Sequence, residues 1–265
     1  MVPQEEHVKE LCLEAKQSGW EKAVAERYGS LDQAPWIADL SRADPLLFSQ
    51  ISSASTVLDL GCRYGVSSFA LSPLCRTIIS LDSDETYADF VSIRSHQDKI
   101  TNVISICADI NRIPFKESSF DLIIVNRQII RNITKAKLDD LLETIHALLK
   151  SKGQVFIGVD RSSSRFSSCL LPYRKLQKRL CRIGFKIDKV ILPLKNYPSF
   201  KFLIDAKSKT DFHFVVDLII SEYTAKSLAE KLYRALAAIA RGAGLANLIS
   251  TSTLFHSYLV FATKN

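Results

Sequence analysis

The chain has 265 residues, an apolar fraction of 47% and a formal net charge of +7. This length and composition predict one large α/β domain with an insertion, or two small domains. Because the N-terminus is charged we expect no signal peptide, and no apolar run is long enough to cross a membrane. The six cysteines form neither a C-x-x-C pair nor a metal-ligand spacing, so we expect reduced thiols in a soluble, cytoplasmic protein without a metal site.

The charge is distributed unevenly along the chain. Residues 1–160 carry 17 basic and 22 acidic side chains, whereas residues 161–265 carry 18 and 6. A basic C-terminal part indicates an anionic partner: a phosphorylated substrate, a nucleic acid or an anionic membrane surface. A solvated basic face that only keeps the protein in solution is an equally good interpretation.

The first predicted element is an amphipathic helix within residues 4–29, where apolar side chains recur on one stripe. Residues 26–48 are mixed in composition and are punctuated by two prolines. The N-terminal part therefore predicts a helical segment that ends in irregular structure.

A strand, a glycine turn and a helix follow in the stretch TVLDLGCRYG, residues 56–65. Val57 and Leu58 predict the end of a buried strand, and Gly61 and Gly65 hold the turn that opens into the helical run VSSFALS. Such a hairpin is typical of nucleotide binding, because glycines allow the backbone to approach a ligand and the helix presents unpaired N–H groups.

The glycine spacing selects the kind of nucleotide. The dinucleotide pattern G-x-G-x-x-G would need further glycines where Arg63 and Val66 stand. The pattern D/E-x-G-x-G-x-G is present at Asp59, Gly61 and Gly65, with Arg63 in place of the middle glycine. In this stretch the chain resembles the class I S-adenosylmethionine (SAM) methyltransferases.

Arg63 leaves two interpretations open. If its φ stays negative and its side chain turns away, the turn still accepts the cofactor, and the arginine can pair with the methionine carboxylate. Alternatively the arginine fills the cleft and the domain has lost SAM, which would leave a binding module without turnover. We favour cofactor binding, because the acidic residues of the next strands complete the same pattern.

Those acidic residues end two further predicted strands. Asp82 ends a strand that begins at Thr77, where a carboxylate can accept hydrogen bonds from both ribose hydroxyls, and Asp84 caps the helix at 84–95. The stretch ADINRIPFKESSFDLIIVN resembles the family's third acidic motif and fourth strand. By that resemblance Asp109 accepts the adenine amino group, and Ile110 packs against the ring.

The acceptor side follows strand four. Asn126 ends that strand beside the expected methyl group, and Arg127 and Arg131 give the rim of the acceptor pocket a basic character. After an amphipathic helix that ends at Lys150, Asp160 and Arg161 lie at the carboxyl end of strand five, where open α/β sheets bind ligands.

The C-terminal part predicts a basic helix at 168–182 and strand six at 185–194, with strand seven at 256–264. Between these strands lies an insertion with an amphipathic helix at 224–241. The insertion can cap the acceptor pocket, form a homodimer contact or lie on a membrane surface, and we favour the cap.

The resemblance implies an α/β fold with a Rossmann-like, doubly wound, seven-stranded sheet, in which strands 1–6 are parallel and strand 7 is antiparallel. Residues 1–50 would form an N-terminal helical lid. Residues 51–194 and 254–265 would form the SAM-binding domain, and residues 195–253 the inserted helical cap.

The predicted function is methyl transfer from SAM, with S-adenosylhomocysteine as product, to a small-molecule or glycan-like, anionic acceptor. The alternatives are an RNA or other nucleic-acid methyltransferase and a non-catalytic binding protein. The candidate cofactor-binding residues are Asp59, Gly61, Cys62, Arg63, Gly65, Asp82, Ser83, Asp109, Ile110 and Asn126. The candidate substrate-binding residues are Arg127, Arg131, Arg161 and Tyr28, and the candidate general bases are His213 and Asp160.

Overall fold

The computed structural model describes residues 4–34, 50–160, 173–193, 203–205 and 257–265. The helices are α1 (Gln4–Ser18), α2 (Trp20–Tyr28), α3 (Val66–Leu71), α4 (Glu85–Gln97), α5 (Arg127–Asn132), α6 (Lys135–Leu148) and α7 (Tyr173–Ile183). The strands are β1 (Thr56–Leu60), β2 (Thr77–Asp82), β3 (Val103–Cys107), β4 (Phe120–Val125), β5 (Leu149–Asp160), β6 (Phe185–Pro193), β7 (Leu203–Asp205) and β8 (Ser257–Lys264).

The strands form one sheet in the order β3-β2-β1-β4-β5-β8-β6-β7. Strands β1 to β5 pair in parallel, and β8 lies antiparallel between β5 and β6, so that β6 points in the same direction as β1 to β5. This arrangement confirms the predicted doubly wound sheet. The described residues also contain an eighth strand, since β7 pairs antiparallel with β6 inside the segment for which we expected a helical cap.

The central strands are apolar on both faces because helices cover both sides of the sheet. Leu58 of β1 faces a cluster with the buried face of α6, whereas its neighbour Val57 faces a second cluster with Phe69 of α3. This alternation fixes the direction in which β1 enters the glycine turn. Asp121 of β4 accepts the Thr56 N–H over 2.8 Å and so holds the start of β1 against β4.

The N-terminal region is organised as two helices, whereas the sequence predicted one. Gly19 has a φ of 93° and separates α1 from α2, because this left-handed conformation interrupts a right-handed helix. Leu11 and Ala23 bury their side chains in a cluster that also contains Tyr64 of the glycine turn and Tyr87 of α4. The helix pair therefore packs beside the turn that follows β1, while the remainder of the predicted lid, residues 35–49, lies outside the described residues.

Other predicted elements are confirmed where the structure describes them. Asp84 caps α4 by accepting the Thr86 N–H over 2.9 Å, and Gly184, with a φ of 114°, follows α7. The predicted helix at 224–241 lies outside the described residues. None of the helices in the described ranges is long and apolar enough to cross a membrane.

Candidate functional site

A cavity of about 430 Å³ opens where β1 and β2 end. Its volume lies in the range of small-molecule binding sites. One part of the wall comes from the loops after β1, β2 and β3, and the other from α5 and the start of α6. The lining residues are Gly61, Arg63, Asp82, Ser83, Tyr87, Ile110, Asn111, Gln128, Ile129, Asn132, Ile133, Thr134 and Lys137.

Gly61 is required for the shape of this cavity. Its φ is 69°, and a Cβ atom at this position would lie 2.8 Å from Cδ1 of Ile129. Its N–H donates to the Leu81 carbonyl over 2.8 Å, which holds the turn against the end of β2. A side chain at Gly61 would therefore both strain the turn and collide with Ile129, which lines the cavity.

Gly65 closes the turn and starts α3. It also has a φ of 69°, and a Cβ atom would lie 2.9 Å from the side chains of Phe69 and Val91. The structure thus explains why glycine is required at both motif positions. Gly65 is required for the packing of α3 and does not line the cavity.

Arg63 has a left-handed backbone conformation, which favours glycine. Its φ is 50°, so the condition of a negative φ is not met. The backbone N–H donates to Oδ2 of Asp82 over 2.9 Å, and Nη2 donates to the Tyr87 hydroxyl over 2.9 Å. Arg63 and Tyr87 are both among the residues that line the cavity.

Asp82 is the carboxylate of the cavity wall. Its side chain is almost fully buried, and its two oxygens accept the N–H groups of Arg63 and Asp84. Burial raises the pKa of Asp82, and these two hydrogen bonds partly oppose the shift. Each carboxylate oxygen has a second acceptor position, so Asp82 can still receive hydroxyl groups of a ligand.

Asp59 lies beneath the turn and does not line the cavity. It is buried, and Oδ2 accepts the Ser68 hydroxyl over 2.6 Å, while Ser80 donates to Ser68 over 2.7 Å. Cys62 is also buried, with its thiol in the core, and burial raises the pKa of that thiol. The structure thus places these two predicted cofactor residues in the support of the turn.

Asp109 is exposed at the end of β3. Its Oδ1 accepts both the backbone and the side-chain N–H groups of Asn111, over 2.9 and 2.7 Å, and these bonds lower the pKa of the carboxyl group. Ile110 and Asn111 line the cavity, whereas Asp109 does not. The predicted contact between Asp109 and adenine stays a prediction, and Asn111 is a wall residue that the sequence analysis missed.

Helix α5 places its polar residues differently from the prediction. Asn126 caps the helix by accepting the Gln128 N–H over 3.1 Å. Gln128 and Asn132 line the cavity, but Arg127 and Arg131 do not. The burial of Ile130 in the core sets the rotation of the helix, and the sequence pattern of six residues was too short to reveal it.

The remaining wall residues follow α5. Thr134 caps α6 by accepting the Lys137 N–H over 3.4 Å, and Lys137 is exposed at the edge of the cavity. Lys137 was missed although a polar residue in the first turn of a helix is a common ligand-binding position.

Among the other predicted residues, Tyr28 does not line this cavity. Tyr28 is half-buried between α1 and α2, where its hydroxyl is hydrogen-bonded to the His7 ring. Asp160 is the last residue of β5. Arg161 and His213 lie outside the described residues.

The wall residues fit a nucleoside with a small polar tail. A buried carboxylate at Asp82 suits ribose hydroxyls, and Ile110 and Ile129 offer apolar surface to a base. Gly61 allows a ligand to approach the backbone where a Cβ atom would collide. These features match the requirements of SAM. In the described part of the chain, no group of three or more His, Cys, Asp or Glu side chains could hold a metal ion.

Comparisons with known proteins agree with this geometry. Residues 57–153 match the family model described as a methyltransferase domain. No curated protein matches the sequence.

Several solved structures have the same fold. Geranyl diphosphate C-methyltransferase from Streptomyces coelicolor A3(2), in complex with Mg²⁺, geranyl diphosphate and S-adenosylhomocysteine, is similar with a TM-score of 0.57 and 15% identity, over 94% of this chain and 83% of that one. A SAM-dependent methyltransferase from Aquifex aeolicus gives a TM-score of 0.51 and 16% identity, over 63% and 91%. The 4+2 cyclase SpnF is similar with a TM-score of 0.55 and 13% identity, over 86% of this chain and 81% of that one.

Proposed function

We propose that this chain, whose residues 57–153 match a family model described as a methyltransferase domain, is a class I SAM-dependent methyltransferase that acts on a small, polar and anionic acceptor. The donor is SAM and the product is S-adenosylhomocysteine. The observation that carries the proposal is the two-part wall of the cavity, with nucleoside-binding features after β1 to β3 and polar side chains on α5 and α6.

The residues after β1 to β3 have distinct tasks in this proposal. Asp82 accepts the ribose hydroxyls, and Ile110 packs against the adenosine together with Ile129 of α5. Gly61 allows the amino-acid end of the cofactor to lie against the turn. When bound, SAM supplies a methyl group on a positively charged sulfur, which is activated for in-line displacement.

The acceptor is oriented by the second part of the wall. Gln128, Asn132 and Thr134 carry amide and hydroxyl groups that suit a sugar-like or otherwise polar molecule. Lys137 adds a cation at the cavity edge, which favours an anionic acceptor. The geranyl diphosphate bound by the Streptomyces coelicolor enzyme is such a small anion on the same fold. Holding the acceptor at reacting distance supplies several kcal/mol of the rate acceleration, roughly 7–11 in the best oriented cases.

A hydroxyl acceptor needs a group that removes its proton. We retain Asp160 as a proposed base, because β5 ends there and parallel strands carry their ligands at the carboxyl ends. His213 in the insertion is the second proposed base. Arg127, Arg131, Arg161 and Tyr28 stay predicted acceptor contacts beyond the described cavity wall.

Two measurements test the proposal. Calorimetry is expected to detect S-adenosylhomocysteine binding, and radiolabelled SAM is expected to methylate members of a panel of phosphorylated and carboxylated small molecules. Replacement of Lys137 by glutamine is expected to raise the KM for an anionic acceptor about tenfold and to leave neutral acceptors unchanged. The matched control is Lys116→Gln, since Lys116 is equally exposed and does not line the cavity.

Incorporation of label into total RNA but into none of the small molecules would contradict the acceptor class. Absence of binding to both SAM and its demethylated product would contradict the donor. The two failures are thus separable.

A further inference from the structure

Arg63 holds a backbone conformation that residues with a side chain rarely adopt. Its φ is 50°, and the glycines on either side in the turn, Gly61 and Gly65, both have a φ of 69°. Glycine would take this conformation without strain, whereas a residue with a Cβ atom keeps it only where other contacts hold it. The contacts of the side chain therefore have to account for an arginine at this position.

The guanidinium is held against an aromatic wall. Nη2 donates to the Tyr87 hydroxyl over 2.9 Å, and the guanidinium carbon lies 5.1 Å from the Tyr87 ring centre and 5.7 Å from that of Tyr64. Both tyrosines are buried and pack edge to face, 5.1 Å apart. They belong to the cluster beneath α1 and α2, so the arginine rests on a rigid surface.

Within the described residues the Arg63 guanidinium has no ion-pair partner, although burial raises the pKa of the nearby Asp82 carboxyl group and the charge of the guanidinium helps to lower it. Nη2 is the guanidinium nitrogen that has a protein acceptor among those residues. Asp82 accepts the backbone N–H of Arg63, not its side chain. Arg63 lines the cavity. Because a guanidinium has five N–H donors in a planar fork and one of its nitrogens donates to Tyr87, it keeps donors for a carboxylate supplied by a ligand.

SAM carries one carboxylate, at its amino-acid end. We propose that Arg63 binds this carboxylate and replaces, by a charged contact, the close backbone approach that a middle glycine would allow. The inference rests on the proposed function, since it names a contact to the same donor. The backbone N–H of Arg63 donates to Asp82, so the positions of the two residues are coupled. In this proposal Asp82 binds the ribose of SAM, and Arg63 binds the carboxylate at its amino-acid end.

A ligand pair tests the inference. S-adenosylhomocysteine and 5′-methylthioadenosine share the adenosine and the thioether, but the second lacks the amino-acid end. Calorimetry on Arg63→Gly is expected to show a Kd about 10- to 100-fold higher for S-adenosylhomocysteine, and a Kd within about twofold of the original for methylthioadenosine. Arg63→Lys keeps the positive charge but lacks the planar fork of N–H donors. Its Kd for S-adenosylhomocysteine is expected to lie between those of the original protein and Arg63→Gly.

Lys99→Gly is the matched control. Lys99 also has a positive φ, 56°, and its side chain is exposed and does not line the cavity. Both Arg63→Gly and Lys99→Gly replace a cationic residue of positive φ by glycine. A general effect of relieved backbone strain or of lower net charge on binding would therefore appear in both variants. We expect Lys99→Gly to leave both Kd values unchanged, and neither variant to unfold at a lower temperature.

Three results would overturn the inference. They are equal losses for the two ligands in Arg63→Gly, no loss for either, and tighter binding of S-adenosylhomocysteine. Failure of the unmodified protein to bind either ligand would instead overturn the proposed donor, and this inference with it.

Discussion

The backbone N–H of Arg63 donates to Oδ2 of Asp82 over 2.9 Å, which joins the turn after β1 to the end of β2 at the cavity wall. The carboxylate that would receive the ribose is therefore positioned by the left-handed turn beside it. Changes in the turn and in Asp82 are expected to affect the same binding event through different parts of the ligand.

Replacement of Asp82 by asparagine is expected to weaken S-adenosylhomocysteine and methylthioadenosine equally, by about 10- to 100-fold, because both carry the ribose. The amide has one oxygen for the two N–H groups that the carboxylate now accepts. Calorimetry with both ligands measures the effect. Asp89→Asn, at an exposed carboxylate of α4, is the control, and a loss confined to S-adenosylhomocysteine would contradict the assignment of Asp82 to the ribose.

The pH dependence of binding follows from the buried Asp82. Burial raises its pKa in the folded protein, so the protonated form is favoured and the associated stability is present below the ordinary pKa of 3.8. That stability is lost as pH rises through the folded pKa. The pH dependence of ligand affinity has the opposite sign. Affinity rises with pH, because the ionised carboxylate of Asp82 can accept hydrogen bonds from both ribose hydroxyls.

We therefore expect the affinity for methylthioadenosine to fall on acidification, beginning above the ordinary pKa of aspartate. Calorimetry across a pH series measures this acid limb. The limb should be missing from Asp82→Asn. Its persistence in that variant would assign the titration to another group.

Replacement of Ser68 by alanine is expected to destabilise the protein by about 2–3 kcal/mol. Ser68 donates to buried Asp59 and accepts from buried Ser80, so its loss leaves a charged acceptor and a hydroxyl donor without these partners. Chemical denaturation measures the free energy of unfolding. Ser92→Ala on the exposed surface of α4 is expected to change it by less than about 0.5 kcal/mol.

Arg94 is expected to hold the N-terminal helix pair on the domain. Its guanidinium lies 4.1 Å from the ring centre of Trp20 and 4.0 Å from that of Phe69, and Asp98 lies 3.3 Å away. Replacement by alanine removes these contacts and should lower the free energy of unfolding by about 2–3 kcal/mol. Hydrogen exchange should speed up in α2 more than in β1.

Arg76→Ala is the control for this prediction, because Arg76 is exposed and, among the described residues, its side chain donates to the Thr56 hydroxyl alone. Equal acceleration of exchange in α2 and β1 would show that Arg94 stabilises the whole domain and has no special role in docking the helix pair.

The elements around the site were predictable where neighbouring residues decide them. The buried strand before Gly61, the position of Asp82 at the end of β2 and the cap at Asp84 depend on alternation, glycine spacing and a side chain that reaches its own helix. Gly19 was the missed signal in this class, since a glycine inside an apolar stripe is compatible with both a continuous and a broken helix.

The facing of α5 was not predictable, because it depends on how Ile130 packs in a core assembled from distant segments. Arg127 and Arg131 were chosen for their charge, yet Gln128 and Asn132 line the cavity. A six-residue helix has too few turns for its hydrophobic stripe to show which side is buried.

The sequence alone determined the strand–turn–helix unit, the acidic residue at the end of the second strand and the resemblance to SAM methyltransferases, because backbone preferences and short-range spacing are local properties. Only the tertiary structure decided that Asp59 supports the turn, that Arg63 lies on Tyr87, and that α5 presents amides to the cavity. Those outcomes depend on strand register and helix rotation, which are set by the packing of residues far apart in the chain.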